Sequence, residues 1–225
     1  MLLTAVGAFI GALLSLLASI FIEYQKKPKL HLTIEDPPAD KNFVGEVKVA
    51  RFLRVIIHNK PMAAVFQWIG RSAALNCTGE IQFYHLLDAA PVFAKSMPIR
   101  WANTEEPFSA QLQQDGKVGY LFDVGKFNLG FRRDCYPGSF ELIDVAARFD
   151  DDSDCYGWSN ESYVKGWRNP DWKLPAGRYF VRVTVNSAGE KIDGFFKLEN
   201  SVTRENFRLI PVSLDESEKL SSTRS

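Results

Sequence analysis

Residues 174–185 read Leu-Pro-Ala-Gly-Arg-Tyr-Phe-Val-Arg-Val-Thr-Val, and this stretch decides the fold that the sequence predicts. From Tyr179 to Val185 every second residue is apolar, and Arg182 and Thr184 lie between them on the other face. A period of two in aromatic and β-branched residues is typical of a half-buried β-strand. The stretch therefore predicts a strand with one face in a core.

Residues 174–177 precede this strand as a turn that contains Pro and Gly. A Tyr at the start of a strand, directly after such a turn, resembles the tyrosine corner of immunoglobulin-like sandwiches. In that motif the phenol hydroxyl bonds to the backbone a few residues upstream. The resemblance implies a fold and no particular function.

Alternation of the same kind predicts further short strands along the chain. Residues 140–149 alternate as Ile143, Val145, Ala147 and Phe149, and residues 103–117 are polar and loop-like. The fold class predicted is all-β, an immunoglobulin-like β-sandwich with one short helix, preceded by a single N-terminal transmembrane helix. The other predicted strands are residues 30–34, 52–58, 74–85, 97–101 and 191–198, with weaker signals at 120–122, at Phe127 and, as an edge strand, at 207–212.

The composition sets limits on the class of protein. The chain has 225 residues, and its 27 basic and 27 acidic side chains cancel. No basic excess is present, so nucleic acid is not predicted as a partner. Cys77, Cys135 and Cys155 form no paired motif, and an odd number of scattered cysteines fits a reducing compartment.

Residues 2–22 carry no charged side chain, and as a helix they would span about 31 Å, close to the thickness of a bilayer core. A cleaved signal peptide is the rival interpretation, but it favours basic residues before the apolar run, whereas here they follow it. We expect an uncleaved membrane anchor. The predicted organisation is a transmembrane helix (1–23), a basic linker (24–29), a β-sandwich domain (30–213) and a disordered tail (214–225).

The basic residues next to the anchor also predict an orientation. Lys26, Lys27 and Lys29 follow the helix, and basic flanks stay on the cytoplasmic side. The C-terminal domain is therefore expected to face the cytosol.

Small residues recur every four positions along the anchor, and this spacing lets two membrane helices approach closely. They predict self-association or a helix partner, although small residues are also common in membrane helices generally. The residues are Gly7, Gly11, Ser15 and Ser19.

A helix is predicted after Pro61, with Met62, Val65, Trp68 and Ile69 on one face and an end at Gly70. We expect it to cover an open end of the sandwich. The alternative is that Phe66 and Trp68 meet the membrane surface or a partner.

Four carboxylates have the spacing of a calcium-binding EF-hand loop: Asp150, Asp152, Asp154 and Glu161. The sixth position of such a loop requires Gly, but here it is Cys155, and the preceding segment alternates like a strand. A divalent-metal site is therefore a minor alternative to a solvated loop, and no cofactor is predicted.

The segment 155–172 is rich in aromatic side chains, which favour both cores and interfaces. One interpretation is that these rings close one end of the sandwich. The other is a binding platform for a peptide, a glycan or a protein. The residues are Tyr156, Trp158, Tyr163, Trp167 and Trp172.

The sequence contains no GxSxG, HExxH or phosphate-binding glycine motif. The predicted function is a membrane-anchored, non-catalytic interaction or accessory module, whose partners are the lipid bilayer and either another protein or a second copy. An extracytoplasmic domain that recognises a glycan or peptide through residues 155–172 is the alternative. An enzyme or divalent-metal protein that uses the acidic loop 150–161 is the third.

Overall fold

The computed structural model describes residues 2–42, 49–114, 117–188, 190–212 and 216. The chain begins with one long helix, α1 (Leu2–Lys26), and continues as β-structure with short helical segments. The strands are β1 (Leu30–Ile34), β2 (Ala39–Asn42), β3 (Val49–Asn59), β4 (Ala74–His85), β5 (Met97–Pro98), β6 (Arg100–Trp101), β7 (Phe108–Gln114), β8 (Lys117–Phe122), β9 (Arg133–Cys135), β10 (Phe140–Phe149), β11 (Cys155–Gly157), β12 (Lys173–Leu174), β13 (Gly177–Ser187), β14 (Glu190–Asn200) and β15 (Arg208–Pro211). The helices of the body are α2 (Val124–Leu129) and α3 (Glu161–Val164), with 3-10 turns at Ala64–Ile69, Pro170–Trp172 and Arg204–Asn206.

The strands form two antiparallel sheets and a separate hairpin. The first sheet has the order β1-β3-β10-β11-β12, with β2 beside β3 and β6 beside β10. The second has the order β15-β14-β13-β4-β5, with β9 beside β4, while β7 and β8 pair only with each other among the described strands. The prediction of a mostly β, two-sheet protein with one apolar N-terminal helix is confirmed, and β15 lies at a sheet edge as predicted.

The main core lies between the two sheets, and β13 supplies its centre. Tyr179, Val181, Val183 and Val185 are all buried there, as the alternation predicts. The Tyr179 hydroxyl donates a hydrogen bond to the carbonyl oxygen of Pro175 at 2.9 Å. The upstream backbone contact predicted for this Tyr is therefore present.

A β-bulge in β10 changes which face its residues occupy. The pairing of β10 with β3 shifts between Asp144 and Ala146, and an extra residue in one strand reverses the alternation beyond it. Ile143 and Val145 lie in the main core, whereas Ala147 and Phe149 lie in a second core on the opposite face of the first sheet. The prediction that all four apolar residues share one face is wrong.

Two further predictions are wrong in the middle of the chain. The predicted loop over 103–117 contains β7, which pairs with β8 from Phe108↔Phe122 to Gln114↔Lys117. Phe127 lies in α2, not in a strand. The Asp123 side chain accepts hydrogen bonds from the backbone N–H groups of Gly125 and Lys126, which caps this helix.

The sequence predicts a helix that ends at residue 23 and a disordered tail from residue 214. Helix α1 continues to Lys26, beyond the predicted end at 23, so only residues 27–29 connect it to β1. The predicted disordered tail lies outside the described residues except for Glu216, whose carboxylate pairs with Lys197 at 2.6 Å.

We expect Tyr179→Phe to lower the free energy of unfolding by about 1 kcal/mol, because the change removes one buried hydrogen bond. The loss is at the low end of the usual range because Pro175 O also accepts a hydrogen bond from Asn200. Denaturant unfolding of the full chain in mild detergent measures the change. Tyr136→Phe is the control, since Tyr136 is exposed. Equal stability of both variants and the wild type would contradict the proposed role of the hydroxyl.

Candidate functional site

Four of the five aromatic side chains from the segment 155–172 form the second core. Trp158 and Trp167 stack with centroids 6.3 Å apart and planes 5° apart, and Phe52 of β3 meets the edge of Trp158 at 4.9 Å. Phe108 of β7 packs against Trp167, with ring centroids 5.5 Å apart. The members of this core are Ala50, Phe52, Ala147, Phe149, Tyr156, Trp158, Tyr163 and Trp167.

The fifth ring, Trp172, lies in the main core. Its indole N–H donates to a carboxylate oxygen of Glu161 at 3.1 Å. This bond joins α3 to the 3-10 turn before β12. Burial raises the pKa of the Tyr163 phenol, which stays neutral. The five rings are buried, and a partner that touched Trp167 would first have to displace the β7–β8 hairpin.

The four carboxylates of the acidic loop do not converge on one point. Asp152 accepts hydrogen bonds from the Tyr156 hydroxyl at 2.7 Å and from the backbone N–H of Asp154 at 2.9 Å. Burial, followed by this bond to Asp152, raises the pKa of Tyr156. The other three carboxylates each have a separate partner: Asp150 forms an ion pair with Arg204 at 2.7 Å, Asp154 forms one with Lys173 at 2.7 Å, and Glu161 accepts the hydrogen bond from Trp172.

Within the described ranges, no group of three or more His, Cys, Asp or Glu side chains is arranged to hold a metal ion. The acidic loop therefore serves as a set of local ion pairs and turn contacts in this structure. Its carboxylates fasten the loop to the Arg204–Asn206 turn and to β12 through Arg204 and Lys173.

We expect no saturable calcium binding below about millimolar, because the loop lacks the Gly of an EF-hand and its carboxylates already have donors. Isothermal calorimetry on the full chain in mild detergent measures the binding. Micromolar affinity that disappears in Asp152→Ala would contradict this expectation and move the metal interpretation to first place.

The small residues of α1 face open space. An added Cβ at Gly7 or Gly11 would meet nothing within 4 Å outside the local helix. The Ser19 hydroxyl donates to the Ser15 carbonyl oxygen at 2.9 Å, so it is satisfied within the helix. The surface is open to close approach by another helix, and self-association through it stays a prediction.

A buried charge network, which sequence reasoning missed, lies on the outer face of the first sheet. The Arg54 Nε donates to Asp144 at 2.7 Å, and the Arg100 guanidinium lies 3.9 Å from the same carboxylate. Arg100 also donates to Asn160 Oδ1 at 2.6 Å and lies over the Tyr163 ring, 4.6 Å from its centroid. These groups join β3, β10 and β6 to the segment before α3. No sequence spacing marks them, because they come from four distant parts of the chain.

A second buried amide closes the end of the body nearest α1. The Asn59 side chain accepts from the Lys29 backbone N–H at 3.1 Å and donates to the carbonyl oxygens of Ser72 and Cys135, each at 3.0 Å. Asn59 is fully buried. It therefore holds the linker, the 60–72 loop and β9 together at one point, which we call the Asn59 clasp.

The 60–72 loop contains the predicted helix, as a 3-10 turn at Ala64–Ile69 that ends at Gly70 with φ +70°. The expectation that it covers the sandwich is wrong for the turn itself, because none of the residues in Ala64–Ile69 is buried, whereas Met62 before it is buried. Phe66 instead contacts Phe21 of α1, with centroids 6.0 Å apart. Trp68 is exposed, and the alternative that Phe66 and Trp68 meet the membrane surface or a partner stays a prediction.

Two of the three cysteines are close neighbours. Cys77 in β4 and Cys135 in β9 are buried, and their strands pair through Ala74↔Cys135 and Cys77↔Arg133. The hydrogen bond with the neighbouring Cys77 thiol, together with burial, raises the pKa of Cys135. Burial alone is the main reason for the raised pKa of Cys155. The bond with Cys135 lowers the pKa of the Cys77 thiol. All three thiols are buried, which limits their access to reagents in the solvent.

Comparison with known proteins gave no significant match: no family model, no curated protein sequence and no solved structure matches this chain.

We expect Asn59→Ala to lower the free energy of unfolding by about 2 kcal/mol, because it leaves buried backbone groups without their partner. The matched control is Asn103→Ala, in which an exposed amide is removed, and its effect should stay below about 0.5 kcal/mol. Denaturant unfolding in mild detergent measures both. Similar losses in the two variants would show that the Asn59 clasp contributes no more than an average polar side chain.

Proposed function

We propose that this chain is a single-pass membrane protein in which α1 crosses the bilayer and carries a non-catalytic interaction or accessory domain. The observation that carries the proposal is the bare surface of α1. None of the window Phe9–Lys26 is buried in the protein. In water such an apolar surface would be unfavourable by roughly 25 cal/mol per Å², whereas a bilayer accommodates it.

The dimensions of α1 support a span. It has 25 helical residues, and its apolar part matches a hydrocarbon core of about 30 Å. The basic residues follow the helix, unlike those of a secretory signal, which precede it. An uncleaved anchor therefore fits better than a processed leader.

The body of the protein supports an immunoglobulin-like sandwich as the finer fold. Two antiparallel sheets enclose one core, and Tyr179 bonds upstream to Pro175 at the entrance to a central strand. This is the arrangement of a tyrosine corner. Domains of this kind commonly bind other proteins, which supports an interaction role by analogy of fold alone.

The orientation proposed is cytosolic for the body. Lys26, Lys27 and Lys29 lie at the junction of α1 with β1, and basic residues resist translocation. The proposed partners are the bilayer and either another membrane-associated protein or a second copy that uses the small-residue face of α1. The carboxylates of the acidic loop are paired within the protein, and the aromatic rings of the second core pack against one another. Both observations support a non-catalytic role.

A specific observation favours the extracytoplasmic alternative as the second candidate. Cys77 and Cys135 are adjacent in neighbouring strands, and adjacent thiols form disulfides readily in an oxidising compartment. A domain outside the cytosol that recognises a glycan or a peptide would then be the better description.

We expect the mature chain in cells to keep residues 1–26 and to stay in the membrane after alkaline extraction. A C-terminal tag after Ser225 should resist protease added to intact cells and be cleaved after permeabilisation. Intact mass, membrane fractionation and immunoblotting measure these results.

Three different results would contradict the proposal. A shorter chain that begins beyond α1 would identify a leader peptide. Release by alkali would show that α1 does not span. Loss of the tag in intact cells would place the sandwich outside, and a Cys77–Cys135 disulfide in the isolated protein would then be expected.

A further inference from the structure

The Ala64–Ile69 turn lies beside the last turns of α1. Phe66 contacts Phe21, which precedes Lys26, the end of the helix, by five residues. At 1.5 Å per residue, this places the contact about 7–8 Å back along the helix axis from its end. The turn therefore reaches back past the end of α1, toward the apolar part of the helix.

Hydrogen bonds from the residues that follow the turn hold it next to the end of α1. The Ser72 backbone N–H donates to the Lys26 carbonyl oxygen at 2.8 Å, and an Arg71 guanidinium nitrogen donates to the Lys27 carbonyl oxygen at 2.6 Å. The Asn59 clasp fixes Ser72 to Lys29 and β9. The turn is thus part of a rigid junction between α1 and the sandwich.

The outer side of the turn is apolar and exposed. Val65 is 77% exposed and Trp68 is 76% exposed. All five tryptophans of the chain are in described segments, and the other four are buried. Elsewhere the fold buries its tryptophans, so the exposed indole beside α1 marks this turn as a candidate contact surface.

The surroundings of the turn match the chemistry of a membrane interface. Tyr24 in the last turns of α1 is exposed, as is Tyr136 in the loop that bonds to Asn59 through Gly138. Basic side chains at Lys27 and Arg71 lie at the same junction. Trp and Tyr concentrate where headgroups meet acyl chains, and Lys and Arg favour the anionic headgroup side.

We propose that the Ala64–Ile69 turn is a membrane-interface anchor, with Val65 and Trp68 inserted at the headgroup–acyl boundary of the bilayer that α1 crosses. This inference rests on the proposed function, since it needs α1 in the bilayer. The Phe66–Phe21 contact lies one residue inside the end of the uncharged run 2–22, so the turn lies at the level of α1 where the apolar part gives way to charged residues. The anchor gives the sandwich a second attachment point besides α1, so the orientation of the domain relative to the membrane is restrained.

The fluorescence of Trp68 reports where this side chain lies, because Trp68 is exposed and the other four tryptophans are buried. The full chain is reconstituted in vesicles of zwitterionic lipid with about a quarter anionic lipid, either unlabelled or brominated near the top of the acyl chains. Brominated lipid should quench part of the emission, and aqueous iodide should have little effect. In Trp68→Phe, which keeps an aromatic ring at an exposed site, the quenching by brominated lipid should disappear.

The matched control moves the exposed indole to the far end of the sandwich. Leu87 is fully exposed beyond the end of β4, and β4 spans about 36 Å from Ala74 at the junction to His85. In Trp68→Phe combined with Leu87→Trp, iodide should quench the new emission and brominated lipid should not.

The outcomes separate this inference from the proposed function. If the chain floats with vesicles after an alkaline wash but Trp68 is quenched by iodide and not by brominated lipid, the anchor inference is wrong and the span stands. If neither agent reaches Trp68, protein covers it, and the inference is again wrong. If the chain does not float, the proposed function fails and the inference fails with it.

Discussion

The junction between α1 and the sandwich depends on one buried side-chain amide, that of Asn59. Its three hydrogen bonds satisfy backbone groups from the linker, the 60–72 loop and β9. A buried polar group without partners is costly, so these three segments can leave their positions only together. The opposite end has a counterpart in Asn200, which bonds to the carbonyl oxygens of Ser153, Leu174 and Pro175 and accepts from Arg148. Each amide stands at the last residue of an eleven-residue strand.

Between these ends, the first sheet is apolar on both faces, toward β13 on one side and toward Trp158 on the other. The register shift after Asp144 lets β10 contribute to both faces, and β3 contributes to the second face through Ala50 and Phe52. A sheet with two apolar faces requires a cover on each. The β7–β8 hairpin and the segment around α3 supply the second cover, which explains why an aromatic-rich connection is buried instead of presented to a partner.

Features of the fold that follow from local periodicity can be predicted from the sequence. A bulge made by one inserted residue, or a contact between distant parts of the chain, cannot. The alternation from Tyr179 to Val185 found a central strand, and the Pro-Gly turn found the hydroxyl contact to Pro175. The same alternation in 140–149 misled, because nothing in the composition marks the bulge. Among the candidate sites, the sequence marked the aromatic segment, whose rings are buried, and Trp68, which is exposed. The pairing of Arg100 with Asp144 joins residues too far apart in the sequence to be inferred.

Most of the apolar side chains of the body are buried, so the positions of the exposed ones are informative about contacts outside the chain. At the far end, Arg148 donates to the Asn200 side chain and to the carbonyl oxygens of Ser201 and Val202, whereas at the junction end Val65 and Trp68 are exposed beside a helix whose window Phe9–Lys26 has no buried residue. A short linker of residues 27–29 would permit swinging on its own, but the Asn59 clasp and the turn together restrain it. On a membrane, two attachment points would hold the far end of the sandwich in a constant orientation. A partner bound to the same membrane would then meet one surface of the domain in a fixed orientation, which reduces the orientational freedom lost on binding.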